Sequence, residues 1–288
     1  MNAKGPLASL LHATGIAPML LGLQKLALSR GYLRAVNYHG TAMETADSFE
    51  RQLAFYAEHF TSVSLADLDK WFACGCWEKD RPGLILSFDD GLSSNYTVAA
   101  PLMEKYGFLG WFFVPVDFVS AAAFEQPRFA KEHDIYADAT SLGAERVAMS
   151  WDQLRDLNRR QHVIGCHTRS HRRMHPDLSE AELEYEIRSG KAQIEASMGQ
   201  ECACFCWVGG EQETYTRPAA QMIRKSGYRY AFTTNSFPIT PRANPLRMER
   251  NNVESSWPVS LASFQICGIQ DLRFAPKRRR VAQTIEAP

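Results

Sequence analysis

Two adjacent carboxylates could support metal or acid–base chemistry. Asp89 and Asp90 precede Gly91 at the end of the apolar run Leu84–Phe88. Two acids in such a position are costly unless a cation or another partner compensates their charge. Adjacent residues on an extended chain point in opposite directions, so one carboxylate can hold a metal while the other faces water in the same site. The simpler alternative is a strand end at which one Asp caps the following helix.

Two imidazoles form the second chemical group. His167 and His171 are four residues apart, and on a helical turn this spacing places both rings on one face, where they can share a cation. His175 lies nearby, so a histidine-rich surface turn is the alternative for this motif alone. Two His and one carboxylate form a facial site with open positions, and the expected divalent ion is Zn²⁺, with Co²⁺ or Ni²⁺ as alternatives.

Six short apolar runs predict the strands that position these motifs. The predicted strands are Leu33–Tyr38, Gly83–Phe88, Trp111–Val116, His162–Cys166, Ala203–Val208 and Arg229–Thr233. The segments between them have helical periodicity, and this alternation favours a mainly parallel sheet with its chemistry at the carboxyl ends of the strands. Both motifs directly follow predicted strands, so we expect them at the same edge of the sheet.

Helix starts are indicated by residues that can cap them. Ser48 is predicted to cap one helix, and three capping boxes predict others. The boxes pair Ser64 with Asp67, Ser150 with Gln153, and Ser179 with Glu182. Residues 120–147 are long for a strand–helix connection, so we expect a loop or a short helical insert over the mouth of the sheet.

The motifs and their order resemble the polysaccharide deacetylase family, the NodB-homology carbohydrate esterases. The resemblance is carried by Val36–His39, Leu84–Gly91, Met149–Leu154 and His167–His171, and it runs from about residue 32 to about residue 253. It implies an α/β fold, a distorted (β/α) barrel of about seven strands. It also implies a divalent metal and the hydrolysis of an acetyl group from an acetamido sugar.

The resemblance assigns roles to the residues of both motifs. Asp90, His167 and His171 would be the metal ligands, and Asp89 would be the general base. A metal can polarise the acyl oxygen and acidify a water, and the reaction then needs a donor for the oxyanion and a proton for the leaving amine.

The segment after the fifth predicted strand is expected to complete the site. Gly209 and Gly210 stand where the family has a turn that supplies the oxyanion N–H, and we predict Gly209 or its neighbour for that role. Trp207 and Arg250 join them as predicted oxyanion or substrate-binding residues.

Two departures from the family pattern bear on catalysis. Cys206 occupies the position of an Arg that acts on the base in many members, so that partner is missing or comes from elsewhere, with Arg247 and Arg250 as the choices. The family's late histidine motif, which often supplies the general acid, has no counterpart because His175 is the last histidine. We predict His39 as the proton donor or as a substrate ligand. A hydrogen-bonded His behind the site is the alternative.

Composition and charge define three segments. The 288 residues carry 32 Lys and Arg against 32 Asp and Glu, and this neutrality gives no footprint for nucleic acid. We predict an N-terminal helical segment (residues 1–30), a barrel domain (31–270) and a flexible basic tail (271–288). The N-terminal stretch favours two helices packed on the domain, with a membrane-surface anchor as the alternative. Seven cysteines without a disulfide pattern indicate a reduced, cytoplasmic protein, peripheral on the inner face of the membrane if the anchor interpretation holds.

These observations lead to one main functional hypothesis and two alternatives. The main one is a metal-dependent N-deacetylase that acts on an acetylated amino sugar of a surface polysaccharide or a lipid-linked glycan precursor. The alternatives are an amidohydrolase for a small cyclic amide or formamide, and a non-catalytic glycan-binding relative. The sequence leaves the sugar and the oligomeric state open.

Overall fold

A mainly parallel sheet curls into a nearly closed barrel in the computed structural model, which describes residues 4–14, 16–28 and 31–286. The strands in these residues are β1 (Leu33–Tyr38), β2 (Thr61–Ser62), β3 (Gly83–Phe88), β4 (Gly110–Val114), β5 (Val163–Cys166), β6 (Cys204–Cys206), β7 (Tyr230–Thr233), β8 (Met248–Glu249) and β9 (Asn251–Asn252). Eight of them follow the order β8-β7-β6-β5-β4-β3-β1-β9, and β2 pairs beside β3. The predicted α/β barrel is confirmed.

Helices connect and cover the strands. They are α1 (Lys4–Ala13), α2 (Ile16–Ala27), α3 (Ala46–His59), α4 (Leu65–Cys74), α5 (Ala100–Lys105), α6 (Val116–Ser120), α7 (Gln126–Glu132), α8 (Ala139–Gly143), α9 (Trp151–Arg159), α10 (Glu180–Leu183), α11 (Gly190–Met198), α12 (Arg217–Lys225), α13 (Val259–Ile266) and α14 (Ile269–Glu286). The insert over the barrel mouth contains the short helices α7 and α8, as the length of residues 120–147 predicts.

Local sequence signals determine several of these boundaries. All three predicted capping boxes form, and each includes both reciprocal hydrogen bonds. The prediction that Ser48 caps a helix is wrong, because α3 begins two residues earlier at Ala46, after a 3₁₀ turn that leads directly into it.

The barrel separates two apolar layers. Along β3, Leu84, Leu86 and Phe88 join the layer between the sheet and the helices, whereas Ile85 joins the smaller cluster inside the barrel. This alternation is the two-residue period of a strand. Asp89 is the next residue after Phe88, so the same alternation places its side chain inside the barrel at the carboxyl end of β3.

The barrel closes at a seam that one residue spans. The two ends of the strand order, β8 and β9, are consecutive in the chain, and only Arg250 lies between them. β8 pairs with β7 and β9 pairs with β1, so the chain itself crosses from one edge of the sheet to the other. The side chain of Arg250 is completely buried at this seam.

The two terminal segments both form helices. The N-terminal residues form α1 and α2, as predicted, although Gly15 lies outside the described residues. Among the residues that the structure describes, no helix is long and apolar enough to cross a membrane. The prediction of a flexible tail is wrong, because the basic run belongs to the 18-residue helix α14. Val281 and Ile285 are buried one turn apart, and this apolar stripe docks the helix on the barrel.

Candidate active site

The Asp89-Asp90-Gly91 motif makes a sharp turn directly after β3. Asp90 has φ 71° and Gly91 has φ 67°, so two consecutive residues adopt the left-handed conformation. Glycine tolerates this conformation, whereas at Asp90 it costs conformational energy that the surrounding contacts must offset. The turn places both carboxylates in a cavity of about 450 Å³ at the carboxyl ends of the strands, which we call the catalytic cavity.

The two histidines reach the same cavity from the end of β5. They do not lie on a helical turn, as their spacing suggested, because residues 167–171 are irregular. Thr168 and His171 both have φ 62°, and these left-handed residues fold the loop so that the ring centroids lie 5.2 Å apart. The predicted proximity of the rings is therefore achieved by strained backbone rather than by helical periodicity.

Asp90, His167 and His171 present three potential ligand atoms to one point. Oδ1 of Asp90 lies 3.1 Å from Nε2 of His171 and 3.7 Å from Nε2 of His167, and the three atoms all lie within 4.8 Å of one another. Nδ1 of His167 is 3.0 Å from the carbonyl of Cys206, and Nδ1 of His171 is 2.6 Å from the carbonyl of His133. A carbonyl only accepts, so Nδ1 carries the proton in each ring and the Nε2 lone pairs face Asp90.

The electrostatics of this trio suit a divalent cation. Oδ1 of Asp90 is buried and receives no hydrogen bond from the described residues. The pKa of Asp90 lies well below its usual value despite burial, which would raise it. Burial lowers the pKa of His167 to about 4, so that this ring is neutral at neutral pH. An ionised oxygen that faces imidazole lone pairs is the donor set that Zn²⁺ and similar ions bind.

Asp89 has a different partner. Arg250 donates from Nη1 to Oδ1 of Asp89 at 2.7 Å and from Nη2 to Oδ2 at 2.8 Å, and both side chains are buried. Burial would raise the pKa of Asp89, but Arg250 and then His167 outweigh it, so that the pKa is lowered. Of the two arginines considered from the sequence, Arg250 is thus the one beside Asp89, whereas Arg247 pairs with two glutamates. Because Arg250 is buried against Asp89 and does not line the cavity, its prediction as a substrate-binding residue is wrong.

A second trio, Asp89, His167 and Cys206, also brings potential ligand atoms together. Burial raises the pKa of the Cys206 thiol well above its usual value, so sulfur stays protonated. Both oxygens of Asp89 already accept hydrogen bonds from Arg250. This trio therefore offers fewer free lone pairs for a metal than Asp90, His167 and His171 do.

His39 lies beside both carboxylates. It follows β1, is partly exposed and lines the catalytic cavity. After closer partners, His39 contributes to lowering the pKa of Asp89 and of Asp90, and it partly offsets the burial that raises the pKa of Glu254. The side chain is therefore within reach of a substrate bound in the cavity, as its position after the first predicted strand suggested.

The turn after β6 also lines the cavity. Gly209 has φ 79° and, with Gly210, borders the cavity. The Gly210 N–H donates to Oε2 of Glu211 at 3.0 Å, while no described residue accepts from the Gly209 N–H. Trp207 is 1% exposed and packs against Tyr215 at 5.4 Å between ring centroids. The prediction of Trp207 as a substrate-binding residue is wrong, because its side chain belongs to the core.

Helix α14 contributes two residues that sequence reasoning missed. Phe274 and Lys277 line the catalytic cavity, and the Lys277 ammonium donates to the carbonyl of Gly210. Burial lowers the pKa of Lys277. The basic run was visible in the sequence, and the four-residue spacing of Val281 and Ile285 was the signal that it forms a helix docked on the barrel.

Comparison with known proteins decides the family. A family model described as polysaccharide deacetylase matches residues 78–231, more than half of the chain. The protein belongs to the polysaccharide deacetylase family. The matched residues include both the Asp89-Asp90-Gly91 and the His167–His171 motifs. No curated protein sequence matches this deacetylase-family chain.

Solved structures share the fold of this polysaccharide deacetylase family member. Streptococcus pyogenes deacetylase PplD in complex with acetate is 15% identical with a TM-score of 0.65, and the match covers 82% of this chain and 98% of that one. A de-N-acetylase from Aggregatibacter actinomycetemcomitans is 16% identical with a TM-score of 0.63, covering 81% and 98%. IcaB from Ammonifex degensii is 18% identical with a TM-score of 0.60, covering 84% and 97%. At these identities the likeness is one of fold.

Proposed function

We propose that the protein is a divalent-metal-dependent hydrolase that removes the N-acetyl group from an acetamido sugar of a glycan. The observation that carries the proposal is the contrast within the Asp pair. Asp90 keeps a buried oxygen without a hydrogen bond beside two imidazole lone pairs, while Asp89 is held ionised by Arg250. The family and the names of the structural neighbours support the same reaction class.

Each residue then has a defined task. A divalent ion held by Asp90, His167 and His171, with Zn²⁺ as the expected ion, supplies a Lewis acid for the acyl oxygen and lowers the pKa of water. Asp89 accepts the proton of the attacking water, and Arg250 keeps Asp89 ionised and oriented for that step. The Gly209 N–H stabilises the developing oxyanion, and His39 donates a proton to the leaving amine.

The test is the release of acetate from N-acetylated amino-sugar oligomers by the purified, Zn²⁺-loaded protein. We expect turnover in the wild type and a fall of about 10² to 10⁴-fold in Asp89→Asn, the effect of losing a general base. Asp177→Asn is the matched control, because Asp177 is exposed and lies in the loop that follows the histidine motif. Release of formate from formamido sugars instead of acetate would favour the amidohydrolase alternative. Glycan binding without any release would favour a non-catalytic relative.

The proposal extends to where the substrate lies. On α2, Met19, Leu23 and Leu26 are 55%, 51% and 75% exposed, and their spacing places them on one face of the helix. Lys25 and Lys79 line the adjoining cavity, so apolar and basic groups adjoin one another. Such a surface suits contact with an anionic membrane, and this supports a lipid-linked precursor at the inner face of the membrane as substrate.

Membrane contact is tested by cosedimentation with vesicles that contain anionic lipid. We expect the wild type to sediment with the vesicles and Leu23→Ser/Leu26→Ser to remain in the supernatant. The matched control is Leu142→Ser/Leu272→Ser, since these leucines are 56% and 81% exposed on other helices. Equal sedimentation of the two double variants would remove the membrane part of the proposal and leave the deacetylase part intact.

A further inference from the structure

A second cavity lies on the other side of α14, and we call it the arginine cavity. It has a volume of about 580 Å³ and lies between α14 and residues 237–249. It shares no lining residue with the catalytic cavity. Lys277 and Arg278 are consecutive on α14, yet Lys277 lines the catalytic cavity and Arg278 lines the arginine cavity. The helix therefore separates two distinct spaces.

The arginine cavity carries an excess of positive charge. Its lining includes five arginines and two glutamates, namely Arg224, Arg242, Arg247, Arg278, Arg279, Glu249 and Glu286. Arg247 engages both glutamates at 2.8 Å. None of the other four arginines has a carboxylate partner within 4 Å among the described residues. In a chain whose net charge is zero, this is a local concentration of uncompensated charge.

Arg278 is already fixed in place for recognition. Its Nη1 atom donates to the backbone carbonyls of Asn235, Ser236 and Asp271 at 3.2, 2.7 and 2.7 Å. Its guanidinium lies over the ring of Phe237, 4.3 Å from the centroid. Within the described part of the chain, no acceptor engages its Nε or Nη2 atoms. A guanidinium held in this way loses little side-chain entropy when its free edge binds an anion.

We propose that the arginine cavity binds a phosphate or diphosphate group. The five arginines exceed the two glutamates by three positive charges, more than a single carboxylate can balance, and the forked guanidinium donors match phosphate oxygens. Phe237, Ile239 and Met248 provide an apolar wall for the part of the ligand that adjoins the phosphate. The proposal goes beyond the deacetylation reaction and does not depend on it, because it concerns a space that the catalytic residues do not line.

The test is calorimetric titration of the full-length, metal-loaded protein with inorganic pyrophosphate. We expect saturable binding that weakens at least tenfold in Arg242→Gln/Arg279→Gln. Both side chains are exposed, so the fold should tolerate the change, and an unchanged melting temperature verifies this. Arg51→Gln/Arg128→Gln removes the same charge from exposed sites elsewhere and should bind as the wild type does.

A metal in the catalytic cavity would also attract phosphate, so the titration is repeated in Asp90→Asn. We expect this variant to retain pyrophosphate binding. Binding that disappears in Asp90→Asn but persists in Arg242→Gln/Arg279→Gln would overturn the proposal, as would equal weakening in the Arg51 and Arg128 control or no binding by the wild type.

The source of the phosphate is distinguished by a second titration, with phosphatidic acid vesicles. Vesicle binding that is lost in Arg242→Gln/Arg279→Gln and kept in the control identifies a lipid headgroup. Pyrophosphate binding without a difference in vesicle binding identifies a soluble phosphate ligand.

Discussion

The two walls of the catalytic cavity are built in different ways. On the metal side, Asp90, His167 and His171 come from two short motifs that directly follow β3 and β5. On the other side, the partner of Asp89 is Arg250 from the barrel seam, 161 residues away in the chain. The glycine turn on that side is held by Lys277 of α14. Local motifs thus specify the wall that would hold the proposed metal (the metal wall), whereas tertiary contacts assemble the wall beside the proposed base and oxyanion donor (the tertiary wall).

This difference shows that the positive charge beside Asp89 can come from any strand whose side chains reach that carboxylate. Many family members are expected to place an Arg where Cys206 stands here. In this chain Cys206 Sγ lies 3.6 Å from Oδ1 of Asp89, but the guanidinium comes from Arg250 instead. What the site preserves is the ion pair at Asp89 rather than the sequence position of its cation.

The largest effect is expected on the metal wall, from Asp90→Asn. The amide removes the negatively charged ligand beside the two imidazoles, so the variant should lose bound metal. We expect kcat to fall about 10³-fold or more, which corresponds to several kcal/mol of transition-state stabilisation. Metal content by mass spectrometry and acetate release measure both losses. Asp89→Asn is the comparison, because it should keep the metal while losing turnover. A metal-free Asp89→Asn protein would contradict the division of roles between the two carboxylates.

The next effect concerns the seam, through Arg250→Lys. A lysine keeps the charge but loses the two-pronged contact, and we expect kcat to fall about 10 to 100-fold, in line with the loss of a charged hydrogen bond worth about 1.5 to 3 kcal/mol. The pKa of Asp89 should rise because burial, which raises it, is then opposed less strongly. Since the base works only when ionised, the acid limb of the pH–rate profile should move to higher pH.

Placing the Arg at the usual family position provides the control for this interpretation. Cys206→Arg/Arg250→Ala should recover part of the activity and part of the acid-limb shift relative to Arg250→Ala alone. If the acid limb of Arg250→Lys stays at the wild-type pH, the ion pair does not determine the ionisation of Asp89, and Arg250 has a purely structural role.

A smaller effect is expected from Lys277→Met. This change removes the ammonium that holds the Gly210 carbonyl, so the turn that presents the Gly209 N–H becomes less well positioned. We expect kcat to fall about tenfold, the equivalent of about 1.4 kcal/mol, with little change in KM. Lys277→Arg should restore most of the activity. Lys131→Met, at an exposed position on α7, is the matched control and should be indistinguishable from the wild type.

The smallest kinetic effect is expected from Trp207→Phe. Because Trp207 packs in the core and does not line the cavity, kcat and KM should stay within about twofold of the wild type, while the free energy of unfolding falls by about 0.5 to 3 kcal/mol. Denaturant unfolding and acetate release measure these quantities. A large rise in KM with unchanged stability would show that Trp207 contacts the substrate after all.

The two walls also differ in how well they can be predicted from the sequence. The bounds of β1 and β3 follow directly from their apolar runs, and the meeting of the carboxylates and imidazoles follows from the positions of their motifs at strand ends. The choice of Asp90, His167 and His171 as a trio came from the family resemblance. The strands β2, β8 and β9 were missed because two residues carry no periodic pattern. The docking of α14 was missed because the basic run dominates its sequence, and only a long-range contact shows that Lys277 reaches the Gly210 carbonyl.

The backbone of the metal wall has one further consequence. Asp90, Thr168 and His171 all hold left-handed conformations that cost of order 1 to 3 kcal/mol each. Glycine would relieve that cost at every one of these positions, and at two of them it would also abolish metal binding. Under the proposed function, folding and catalysis therefore make opposite demands on Asp90 and His171. A lineage released from catalysis would gain thermostability from glycine at these two positions as it became inert.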